Sequence, residues 1–208
     1  MTYEDMVSLL PYHIAGCPDF VVEKAIKDAT MSFCRRSDAY RVNLDSIETY
    51  AGEFAYDIDL PRNTNLVDIH SATLGEKEIT PETEQGANHE NPLWRTQTGT
   101  PKRYIRPSNN TLFLVPVPEI SGQNISLYAS LKPSLTATSI DTEFVENYVD
   151  GIMAGALANL FNAHDMPWAN PQRAMKHELE FEAHVRDAKD KADGRNGPTR
   201  RTIRYGGI

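Results

Sequence analysis

Ile140–Lys191 reads IDTEFVENYVDGIMAGALANLFNAHDMPWANPQRAMKHELEFEAHVRDAKDK, and its periodicity predicts two helices joined by a short loop. Asp141 is placed to cap the first, with Glu143 in the first turn, where the helix dipole favours negative charge. Val145, Val149, Ile152, Ala156 and Leu160 then recur at i, i+4, i+7, i+11 and i+15, which is one face of a helix. Gly151, Gly155 and Ala158 gather on a neighbouring face. Glycine inside a helix costs about 1 kcal/mol against alanine, so these residues predict a close-packing surface that another backbone approaches.

The loop His164–Ala169 ends in Asn170-Pro171, a capping residue followed by proline at the first helical position, where its missing N–H does no harm. Ala174, Phe181, Val185, Ala188 and Ala192 mark the buried stripe of the second helix. Lys176, Glu178, Glu180, Glu182, Arg186 and Asp187 fall largely off that stripe.

Working back towards the N-terminus, Thr2–Leu10 predicts a short helix before Pro11. Gly16-Cys17-Pro18-Asp19 opens a longer one, with Val22, Ala25, Ile26, Ala29 and Phe33 at helical spacing and an end near Arg35-Arg36-Ser37. After Asp45 the period changes to two. Phe54, Tyr56, Ile58 and Leu60 alternate with Ala55, Asp57 and Asp59, a half-buried strand stopped by Pro61. Further strands are expected at Asn65–Leu74, around Ile79, and at Lys102–Arg106, Thr111–Val115 and Asn124–Leu131. Pro81–Thr100 reads as a long excursion with Leu93 and Trp94 as its large apolar groups.

This order predicts an α+β fold: an N-terminal helical segment (1–45), an antiparallel β domain, a sheet or sandwich (46–135), a C-terminal helical hairpin packing with the N-terminal helix (136–193), and an extended arm (194–208). With 208 residues, 40% of them hydrophobic, the chain can bury a real core. No apolar run approaches the roughly 20 residues that span a bilayer. The acidic, polar N-terminus does not read as a signal peptide, so neither secretion nor a membrane partner is expected. Cys17 and Cys34, without metal-ligand spacing, read as free thiols in a reducing compartment.

The net charge of −8 argues against a general nucleic-acid coat and is unevenly placed. Arg186–Ile208 holds seven basic and three acidic side chains, +4, leaving −12 for the rest. The basic end has two readings, a solvated tail or an arm that docks on an acidic protein surface.

No catalytic constellation emerges. His177, Glu180 and His184 share a helical face, but HELEFEAH lacks HExxH spacing, and a solvated face is the expectation. His164-Asp165 reads as a loop-capping pair, and no nucleophile motif or phosphate-cradling glycine pattern is present. Arg35-Arg36 reads as a helix end. Trp94 and Trp168, each in a loop near proline, read as loop anchors or, in a ring, as subunit contacts. No cofactor or metal is expected.

The ordered series GCPDFVVEKAIKDATMSFCRRS, YDIDLP, PLW, GTPKRY, FLVPVPEISG, LKPSL, DGIMAGALANLF and MPWANPQRAMKHELEFEAHV resembles tailed-bacteriophage head–tail adaptor proteins, the class of short-tailed phages that includes tail tubular protein A. The resemblance runs from about Leu9 to Arg204. It implies a non-enzymatic virion protein, assembled in the host cytoplasm into a homo-oligomeric ring, a dodecamer following the portal's twelvefold symmetry. Its partners would be the portal protein, tail or nozzle proteins, and genomic DNA passing during ejection without sequence-specific binding. The implied portal-docking arm holds Arg195, Arg200, Arg201, Arg204 and Tyr205. Two other readings remain: another tail subunit (terminator, baseplate or fibre attachment), and a hydrolase using His164, Asp165, His177 and Glu178.

Overall fold

The computed structural model describes residues 1–11 and 14–196. It is α+β and divides into two compact units. One is helical and combines Met1–Ala39 with the chain from Thr138 onward; the other, Tyr40–Ala137, holds the sheets.

In the helical unit, α1 (Tyr3–Val7) begins with a reciprocal cap. Thr2 Oγ1 accepts from the Asp5 N–H at 3.1 Å, and the Thr2 N–H donates to Asp5 Oδ2 at 3.3 Å, so two otherwise orphaned N–H groups are satisfied. Helix α2 (Asp19–Ser37) buries Val22, Ala25, Ile26, Ala29 and Phe33 and stops at Asp38, a left-handed residue with φ 52°. Helix α4 (Thr142–Phe161) starts where the Asp141 carboxylate accepts from the Glu143 N–H at 2.8 Å. Its stretch Gly151–Ala158 is buried on every side, which explains a composition of glycine, alanine and apolar residues with no charge. Helix α5 (Pro171–Asn196) is capped by Asn170, whose Oδ1 accepts from the Arg173 N–H at 3.0 Å. Ala174, His177, Phe181, Val185, Ala188 and Ala192 form its buried stripe.

The first sheet of the other unit contains β1 (Arg41–Asn43), β2 (Ile47–Glu48), β4 (Thr64–Leu74), β5 (Lys77–Glu78) and β11 (Asn124–Pro133). Its order is β1-β11-β4-β5, with β2 also on β11, all antiparallel. Along β4 the buried residues Leu66, Ile69, Ala72 and Leu74 are spaced by three, three and two. The β4–β11 register shifts on either side of Ala129–Ser130, where Ile69 pairs with Ala129 and Leu66 with Leu131. Each bulge inserts a residue and restores the inward face.

The second sheet contains β3 (Ala55–Asp57), β6 (Thr80–Pro81), β8 (Arg103–Ile105) and β9 (Thr111–Val115) in the order β3-β9-β8-β6. Two short pairs are parallel, β6 with β8 and β7 (Thr98–Gly99) with β10 (Val117–Pro118). Leu66, Leu74, Ile125 and Leu127 from the first sheet share one core with Tyr56, Tyr104, Leu112 and Leu114 from the second, the arrangement of a sandwich.

Four expectations change. Residues from Tyr40 belong to the sheet unit, because the three-residue β1 is too short to show a period yet pairs with β11. The excursion Pro81–Thr100 contains a helix, α3 (Glu84–Glu90), capped by Thr83, whose Oγ1 accepts from the Gly86 N–H at 3.0 Å. It buries only Ala87 and so carries no readable stripe. Helix α5 runs through Gly194 to Asn196 rather than giving way to an extended arm at 194; one glycine costs too little to end a 26-residue helix. Finally, His177 is 9% exposed rather than on a solvated face. Its Nδ1 lies 2.8 Å from Glu180 Oε2, and its ring stacks on Phe161 with centroids 5.8 Å apart.

Candidate assembly interface

Surfaces already filled inside the protomer must be separated from those left open. The glycine face of α4 is filled. A Cβ on Gly151 would lie 2.7 Å from Phe33 Cε2 and 2.9 Å from His184 Cβ; one on Gly155 would lie 2.7 Å from Phe181 Cδ2. Aromatic rings, not a second backbone, therefore make the close approach, and Ala158 is buried as well. Phe33 is the hub, with ring centroids 6.3 Å from Phe144, 5.3 Å from Tyr148 and 6.1 Å from Phe181.

Arg36 is more than a helix end. Its Nη2 donates to both Glu182 carboxylate oxygens at 2.5 Å, tying α2 to α5, and its guanidinium lies 5.4 Å from the centre of the Phe181 ring. The hydrogen bond from Arg36 holds the Glu182 carboxyl below its usual value.

The helical unit also leaves large apolar side chains open. Phe20 near the start of α2, Met166 in the α4–α5 loop, and Met175 and Leu179 on α5 are all exposed. A groove of about 220 Å³ at the connection between α1 and α2 is lined by polar Ser8 and Asp19 as well as Val7, Leu10, Ile14, Cys17 and Val22. Trp168 is half-buried with its Nε1 out of solvent and without an acceptor among the described residues. Arg195 lies in α5, but its side chain and the other residues expected to form a docking arm, Arg200, Arg201, Arg204 and Tyr205, lie outside the described residues.

On the sheet unit, Trp94 is 1% exposed and packs with Ala87, Ile105 and Val115. Its Nε1 donates to Asn88 Oδ1 at 2.8 Å, so α3 and the following turn are pinned to the sandwich. Arg103 bridges Glu82 at 3.2 Å and Glu90, whose carboxyl the Arg103 hydrogen bond lowers. Tyr50 and Ile120 are exposed on two loops joined by backbone hydrogen bonds, Thr49 N–H to Gln123 O and Gly122 N–H to Thr49 O, both 2.8 Å.

Among the described residues no three or more His, Cys, Asp or Glu side chains group to hold a metal ion, and no helix is long and apolar enough to cross a membrane. His164 and Asp165 are exposed and share no hydrogen bond. Both units thus present some large apolar side chains to solvent. The exposed pair on α5 could be read in the sequence as the two large apolar residues off the buried stripe; the groove between α1 and α2 had no sequence signal.

Compared with known proteins, residues 1–202 match the family model described as SU10 adaptor protein. No curated protein matches the chain.

Proposed function

The chain belongs to the SU10 adaptor protein family of phage head–tail adaptors, and from that membership we propose how this structural virion protein acts. It forms a ring of identical subunits between portal and tail, in twelve copies following the portal's symmetry. Its basic end, with Arg195, Arg200, Arg201, Arg204 and Tyr205, docks on the portal, and other exposed surfaces receive tail or nozzle proteins. The ring encloses part of the DNA channel.

The match across residues 1–202 carries this reading. The charge of −12 outside Arg186–Ile208 also fits DNA passage, because an acidic wall does not retain phosphates.

Imaging the neck of purified particles without imposed symmetry tests the proposal. A twelvefold ring directly under the portal is expected. A sixfold or threefold position in the tail, or absence from the particle, would overturn it.

A further inference from the structure

We propose that neighbouring copies of this chain join through their sheet units, β3 of one copy adding as an extra strand beside β7 of the next. The inference rests on the ring of identical subunits proposed above. A closed ring of one chain needs a heterologous contact, in which two different patches of the same surface meet. Strands with unpaired N–H and C=O groups along one side are templates for such pairing.

Both strands have one open side. β10 engages the carbonyls of Gln97 and Gly99, which accept from the Val117 N–H at 2.9 Å and the Glu119 N–H at 3.2 Å. The backbone groups of Thr98, between them, face the other way and have no partner among the described residues. A cleft of about 690 Å³ lies on that side, bordered by Thr98, Gly99 and Thr100 together with Thr80, Lys102 and Arg103. On β3, the Phe54 carbonyl accepts from the Leu114 N–H at 2.8 Å, and the Ile58 N–H donates to the Asn110 carbonyl at 2.7 Å. Ala55 and Asp57 alternate with these residues, so their N–H and C=O groups point away from β9. They too lack a backbone partner among the described residues. β3 begins the strand order of the second sheet and the cleft touches β8 and β6 at its other end, the opposed placement that a head-to-tail contact requires.

Charge selects this pairing. Residues 45–60 carry five acidic side chains and no basic one, and Asp57 and Asp59 are exposed. In the cleft, Arg103 is already held by Glu82 and Glu90. Lys102 is exposed and has no carboxylate partner among the described residues, and neither Asp57 nor Asp59 has a cationic one. Adding β3 beside β7 pairs backbone groups on both strands and brings these carboxylates towards the Lys102 ammonium. Strand addition at a sheet edge is a recurrent mode of recognition, in which main-chain bonds give affinity and side chains choose the partner. A contact of β3 with β3 would set acid against acid, which destabilises a strand pair.

Crosslinking in particles tests the contact. Phage carrying Asp59→Cys and Thr98→Cys together, treated with a short bismaleimide, is expected to give a ladder of dimers, trimers and higher species on a denaturing gel. Each single variant should remain monomeric, as should the unaltered protein, whose Cys17 and Cys34 are buried. Both substituted positions are exposed, so purified double variant should melt at the unaltered temperature. Dimers from Asp59→Cys alone would reveal β3 meeting β3, and a crosslink from Thr98→Cys to a portal or tail protein would reveal another occupant; either overturns the proposal. A normal ring in the neck with no ladder also overturns it while leaving the adaptor reading intact, whereas absence of any ring from unaltered particles fails that reading itself. As a second measurement, Asp57→Lys and Lys102→Asp should each lower neck occupancy several-fold and restore it when combined; no recovery in the pair would reject the contact.

Discussion

Phe181 of α5 occupies the space that a side chain on Gly155 of α4 would need, since a Cβ at Gly155 would lie 2.7 Å from Phe181 Cδ2 and 3.1 Å from Ala29 Cβ. The junction of α2, α4 and α5 is therefore closed at this point by an aromatic ring resting on a bare backbone.

Gly155→Leu should consequently destabilise the helical unit by at least the 1–3 kcal/mol typical of overpacking, roughly, seen as a lower thermal midpoint. Gly194 is the contrast, because among the described residues nothing lies within 4 Å of a Cβ there. Gly194→Ala should raise stability by about 0.4–1 kcal/mol, since alanine restricts the unfolded chain and favours helix. Equal effects at the two glycines would contradict this account of α4.

The Arg36–Glu182 pair predicts a pH dependence. Arg36 depresses the folded pKa of Glu182, so its contribution is complete above the unfolded value, about 4.3, and is lost as pH falls through the folded value. Arg36→Met should cost no more than about 1 kcal/mol at pH 7, because both side chains are roughly one-third exposed. The difference from the unaltered protein should shrink below about pH 4. Denaturant titration at both pH values checks this, and a deficit that persisted in acid would assign Arg36's role to its packing on Phe181.

The two tryptophans should respond in opposite directions. Trp94→Ala opens a cavity in the sandwich and should cost about 3–5 kcal/mol, whereas Trp168→Phe deletes a buried N–H that has no acceptor among the described residues and should leave stability unchanged or higher. Thermal melts of the two variants decide it; a large loss at Trp168→Phe would mean that its indole N–H is satisfied.

Removing residues 197–208 should leave the melting curve of the purified subunit unchanged but abolish its attachment to portal-filled heads. Pelleting of truncated protein with such heads is the readout, and normal occupancy would refute the docking arm.

Much of the fold was legible because its signals are local. Asp141 and Asn170 cap the helices that follow them, and Tyr56 and Ile58 alternate inward against Asp57 and Asp59. Helix α3 escaped because a seven-residue helix with Ala87 as its one buried residue has no stripe to detect. The bulges of β4 escaped because they arise from pairing with β11, not from the composition of β4 itself. Of the candidate interface, exposed Met175 and Leu179 could be picked out as apolar residues off a stripe, but the groove between α1 and α2 could not, because its lining residues, within 7–22, follow no regular period.

The sequence by itself therefore determined where the long helices begin, which stretches form the main strands, the α+β class and the uneven charge, because caps, turns and periodicity act within a few residues of the chain. Only the tertiary structure decided which faces are occupied. It placed aromatic rings rather than a backbone on the glycines of α4, buried His177 against Phe161, and joined Arg36 to a glutamate 146 residues away. Those outcomes depend on which distant side chains meet, and contact between distant segments leaves no period in either one.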